Sequence, residues 1–88
     1  MIVQHQVADF AAWKSVFDGA LSTRQSVGET AFEILQNPAD PNSVTVIFEW
    51  DTLDRARAFA ADPALKNGMR AAGVISVPEF TFYRFEGY

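Results

Sequence analysis

The stretch VTVIFEW, residues 44–50, narrows the folds open to this chain more than any other. Nearly every position is β-branched or aromatic, a make-up that suits a pleated, half-buried surface. Side chains alternate across a strand, so Val44, Val46, Phe48 and Trp50 share one face and Thr45, Ile47 and Glu49 the other. The first face is wholly apolar and the second only partly so. This predicts a central strand, with helices against one face and a less apolar surface against the other.

The rest of the chain supplies that sheet and those helices. Residues 2–7 alternate as a strand with Val3, His5 and Val7 on one face. Asp9 is placed to cap a helix. Behind it Phe10, Trp13, Phe17, Ala20, Leu21 and Arg24 recur at three- and four-residue spacing, which predicts a single helical stripe ended by Gly28. Residues 30–36 read as a strand, with Phe32 and Ile34 on one face. Residues 37–43, NPADPNS, are dense in turn chemistry and lead by a hairpin into the central strand. Asp51 or Thr52 then caps a helix near residues 52–61, and Asp62-Pro63 restarts it over residues 63–72. Leu53, Ala56, Phe59, Ala60, Leu65 and Met69 are expected to face the core. Residues 77–85 read as a last strand, with Phe80 and Phe82 on one face.

The order βαββαβ predicts one domain over residues 1–88, an α+β ferredoxin-like sandwich. Two helices lie on one face of an antiparallel four-stranded sheet, and the right-handed crossover rule puts the first and third strands in the middle. The other face carries Gln4, Gln6, Glu33, Thr45, Ile47, Glu49, Thr81 and Tyr83. It is too apolar to stand bare and too polar for a monomer core. A domain of 88 residues buries only about 60–65% of its unfolded surface, and this one has no cysteine to staple it. With 49% hydrophobic residues, including eight Phe and two Trp, a homodimer packed through that sheet face is expected.

The net charge of −4, with scattered basic residues, argues against nucleic acid and against an anionic membrane surface as partners. No apolar run approaches a membrane span, and the N-terminal MIVQHQV lacks the marks of a signal peptide, so a cytoplasmic protein is expected. With one histidine and no cysteine a His/Cys metal site is set aside, and the carboxylates have no recognisable metal spacing. There is no glycine-rich phosphate loop, and no serine lies in a nucleophile elbow.

His5 falls by strand parity among Val3, Val7, Val46 and Phe48. Burial there favours neutral imidazole, which suits a general base, or the ring is a core histidine bonded to backbone. Trp13 and Trp50 are walls of a small-molecule pocket or simply core. Arg24 pairs with a substrate anion or offsets a helix dipole. Glu49 lies on the opposite face from His5 and reads as an interface group, and Glu33 and Glu79 as rim positions.

Taken together, His5, Val7-Ala8-Asp9-Phe10, Trp13-Lys14, Phe17-Asp18, Arg24, Asp40-Pro41-Asn42-Ser43-Val44, Glu49-Trp50, the alanine-rich segment 56–60 and the segment 69–74 resemble a family of small dimeric α+β-barrel proteins. Its members are described as antibiotic-biosynthesis-monooxygenase-like or small polyketide-cyclase-like. The family pattern carries a second histidine near position 20, where this chain has Gly19-Ala20. The resemblance implies an enzyme that needs no metal or flavin cofactor: an aromatic substrate, a quinol or polyketide phenol, binds between sheet and helices and is oxygenated or cyclised. On that reading His5 is the base, Arg24 an anion stabiliser, and Trp13, Phe48 and Trp50 the walls. A non-catalytic binder of an aromatic metabolite, and a plain dimerisation module with its cleft filled by its own side chains, stay open beside it.

Overall fold

Three long runs of alternating side chains pair in register to make the sheet. The structure, a computed structural model, describes residues 1–87. Its strands are β1 (Ile2–Gln6), β2 (Glu29–Asn37), β3 (Asp40–Trp50) and β4 (Glu79–Thr81), in the spatial order β2-β3-β1-β4. Every pairing is antiparallel. The first and third strands are central, as the crossover rule requires, and the fold is ferredoxin-like α+β.

The ladder aligns the apolar face. Val3 sits opposite Val46 on one side and Phe80 on the other, Phe32 opposite Phe48, and Ile34 opposite Val46. Val3, Val44, Val46 and Phe48 are buried there, together with Val7, Trp13 and Ala56. His5 lies opposite Val44 on this same face and is buried with it. On the far face, Glu33, Ile47, Ile2 and Thr81 line up across the sheet, and so do Leu35, Thr45, Gln4 and Glu79.

Four helices cover the apolar face: α1 (Phe10–Gly19), α2 (Leu21–Ser26), α3 (Leu53–Ala61) and α4 (Pro63–Ala71). Each of three starts is fixed by its predicted cap. Asp9 accepts from Ala12 N at 2.9 Å, Thr52 from Arg55 N at 3.1 Å, and Asp62 from Ala64 N at 2.9 Å, with Pro63 in the first turn.

Four expectations are corrected. The single stripe from Phe10 to Arg24 is two helices, because Gly19 weakens the last turn and Ala20 (φ −95°, ψ 5°) leaves helical geometry. The turn-rich segment 37–43 mostly belongs to β3, which starts at Asp40; a bulge between Gln36 and Asn37 absorbs Pro41, so the reversal is confined to Pro38-Ala39. Leu53, at the first position of α3, is exposed instead of facing the core. The last strand is only Glu79–Thr81: Pro78 has no N–H to give, and the ladder to β1 ends at the Ile2–Thr81 pair. Beyond it Phe82 packs on the core, while Tyr83 is exposed.

Candidate functional site

The two helix pairs do not close over the sheet. Between them is a cavity of about 240 Å³, with the sheet residues Val3, His5, Val46 and Phe48 at its base. Residues of α1 and α2 line one side, residues of α4 the other. Among the lining residues Val16, Thr23, Val27, Asp62, Ala64 and Gly68 are exposed and form the mouth. At roughly 30 Å³ per water the space holds about eight waters, room for one or two fused rings and little more.

Its wall is a run of aromatic contacts. Trp13 meets the His5 ring edge-on, centroids 5.6 Å apart, and stacks on Phe17 at 5.0 Å. Phe17 leads to Phe48 at 6.0 Å, and Phe48 to Phe59 at 6.5 Å. Trp50 stands outside this wall. It is not a lining residue; its ring packs behind, 4.8 Å from Phe59 and 6.2 Å from Phe48, and its Nε1 is buried without a partner. Of the residues singled out from sequence, His5, Trp13, Arg24 and Phe48 meet at the cavity and Trp50 does not.

His5 is only 8% exposed. Burial holds its pKa below the ordinary imidazole value, because the interior penalises the charged ring; hydrogen bonding to the backbone of His5 and Val44 is the smaller, opposing cause. His5 Nδ1 itself is buried and unpartnered. The result is a neutral ring beside Trp13 at the base of an apolar space, a group able to take a proton from an occupant.

Arg24 is 4% exposed and held on three sides. Its Nε donates to Glu29 Oε1 at 2.6 Å, and Nη1 donates to the Phe17 carbonyl at 2.6 Å. Its guanidinium carbon lies 3.7 Å from the centroid of the Phe17 ring. The break at Ala20 separates the two helices, and Arg24 of α2 reaches across it to a carbonyl in the last turn of α1. Glu29 is reached because Gly28, at φ 120°, turns the chain out of α2 into β2. The Arg24–Glu29 pair is buried on both sides, with 5% and 1% side-chain exposure. Nη2 remains buried with no partner.

Sequence reasoning missed Glu29. The signal was present: an arginine on an apolar stripe needs a buried counter-charge, and Glu29 is the first acidic residue after it. The periodicity marks Phe17, Phe59 and Met69 as core only, since a lining residue and a core residue share one spacing, yet all three line the cavity. Among the described residues no group of three or more His, Cys, Asp or Glu could hold a metal ion. No described helix is long and apolar enough to cross a membrane.

No protein-family model matches the chain, and no curated protein sequence matches it. Solved structures do. SnoaB, a cofactor-independent oxygenase from Streptomyces nogalater, superposes with a TM-score of 0.69 at 22% identity, over 96% of this chain and 91% of that one. A monooxygenase from the gene ActVA-Orf6 of Streptomyces coelicolor, solved in complex with the ligand nanaomycin D, gives 0.65 at 18% identity over 99% and 86%. A Bordetella bronchiseptica protein carrying the antibiotic biosynthesis monooxygenase label gives 0.73 at 14% identity over 89% and 86%. At these identities the likeness establishes a shared fold, that of the antibiotic-biosynthesis-monooxygenase-like proteins.

Proposed function

We propose that this chain is a cofactor-independent monooxygenase or cyclase for a small aromatic, polyketide-like molecule bound between sheet and helices. One observation carries the reading: an aromatic-walled cavity has a neutral histidine at its base and an arginine at its side. The shared fold supports it, since solved neighbours include two named oxygenases.

For an oxygenase the residues act as follows. An electron-rich ring carrying an acidic CH₂ beside its carbonyl loses a proton to His5. The resulting carbanion passes an electron to dioxygen and recombines as a peroxide at that carbon. Loss of water leaves a second carbonyl, so CH₂ and O₂ become C=O and H₂O. The protein contributes the base, the orientation of the ring between Trp13 and Phe48, and exclusion of water. A cyclase would use the same base to form an enolate that attacks a second carbonyl of the same chain.

We place the protein in the cytoplasm as a homodimer. The row of Ile2, Ile47 and Thr81 and the exposed Leu35 support packing through the far sheet face.

The test is aerobic incubation with 2-tetralone and naphthol substrates, following dioxygen uptake and product mass. Turnover in the wild type that disappears in His5→Ala is the expected result. Binding of these molecules without turnover would make the protein a binder and overturn the enzymatic reading.

A further inference from the structure

Taking the cavity as a ligand site, as above, we propose that the Arg24–Glu29 pair makes it selective for uncharged ligands carrying a carbonyl or quinone oxygen, with Arg24 Nη2 as the donor to that oxygen. Charge comes first. The lining residues include only three titratable or charged side chains: His5, Arg24 and Asp62. The Arg24 charge is cancelled within the chain by Glu29 at 2.6 Å, both partners being buried. Asp62 is exposed at the mouth, where its carboxylate caps α4 and repels an entering anion. An anionic ligand therefore finds no uncompensated positive charge inside, and burying it unpaired is costly.

Hydrogen bonding then sets the polar pole. Nε is committed to Glu29 and Nη1 to the Phe17 carbonyl, leaving Nη2 buried without an acceptor. Leaving a buried donor unmade carries a penalty that an occupant's oxygen would remove. Nη2 carries no exposed surface, so binding must shift the Phe17 ring, which lines the cavity and whose centroid lies 3.7 Å from the guanidinium carbon. On this proposal the arginine acts as a neutral-pair donor, where the family resemblance implies an anion stabiliser.

The experiment is equilibrium dialysis of the intact protein with three probes of one size: 2-acetylnaphthalene, 2-isopropylnaphthalene and 2-naphthoate. The wild type should bind 2-acetylnaphthalene about ten- to a hundredfold tighter than either of the others, the range expected for one hydrogen bond from a charged donor. Glu29→Gln should reverse the order in favour of 2-naphthoate, by freeing the guanidinium charge. Because that variant leaves a buried charge unpaired and can fail to fold, the double variant Arg24→Met/Glu29→Met is the companion. It should fold and bind 2-acetylnaphthalene no better than 2-isopropylnaphthalene. Equal or tighter binding of 2-naphthoate by the wild type, or an acetyl preference that survives in the double variant, overturns the inference and leaves the ligand site standing. If none of the three probes binds, the cavity is not a ligand site and both fall.

Discussion

Replacing Gly28 with alanine tests how the polar end of the cavity is held. Gly28 sits at φ 120°, outside the region open to residues with a side chain. Such a backbone costs a non-glycine residue about 1–3 kcal/mol. A Cβ there would also lie 2.5 Å from Asp51 Oδ1 and 3.3 Å from Arg55 Cδ. Asp51 and Arg55 are surface side chains joined by a 2.7 Å ion pair, so the clash is relieved by moving Asp51, at the loss of a pair worth roughly 0.3–0.5 kcal/mol. Backbone strain is the larger effect, and together they come to about 2–3 kcal/mol. For a domain of this size that lowers Tm by roughly 10–20 °C. Calorimetry at fixed protein concentration reads it, with Asp51→Ala and the Gly28→Ala/Asp51→Ala double variant alongside. The double variant should remain almost as unstable as Gly28→Ala alone. Full rescue by Asp51→Ala would show that the clash dominates and that the positive φ is not what the glycine is for.

Other consequences are equally accessible. His5 binds its proton less readily folded than at the ordinary imidazole value of 6.5, so just below that pH the unfolded chain holds more protons and stability falls as pH drops, levelling off once the folded ring also protonates; urea midpoints between pH 7.5 and 5 should show this slope, and His5→Gln should lose its share. Gly68 lies inside α4 with open space where a Cβ would be, so Gly68→Ala should raise stability by about 1 kcal/mol in thermal melts, whereas Gly68→Trp should fill the mouth and abolish 2-acetylnaphthalene binding in dialysis without unfolding the protein. Ile47→Glu sets a charge in the middle of the far sheet face and should reduce the sedimentation mass from twice 9.8 kDa to 9.8 kDa; a wild type already at the lower mass would refute the dimer.

The sheet was legible because Val3, Val46, Phe48 and Phe80 carry a period that only one register satisfies. The helix starts were legible because Asp9, Thr52 and Asp62 are local signals. What escaped was contextual. The break at Ala20 depends on a weak glycine turn, and the stripe of apolar residues runs across it unbroken. Proline and asparagine in residues 37–43 signal turns without saying that a bulge can seat Pro41 in a strand. His5 and Arg24 could be placed on the apolar face by periodicity, but whether that face is filled depends on how far apart α1 and α4 lie, which no local pattern states. Trp50 shares the parity of Phe48, yet it stands one pair further along the strand, behind Phe59.

Arg24 reaches Phe17 and Glu29 across only seven and five residues of chain. His5 is brought to Val44 by strand pairing between distant segments. The two poles of the cavity therefore differ in loop-closure entropy: the arginine pole closes through short loops and can form early, the histidine pole only once the sheet has assembled. The donor end is in effect a local cassette, residues 17–29, set against a base that belongs to the whole fold. Substitutions within that cassette can retune what the cavity accepts while the sheet that holds the histidine stays as it is.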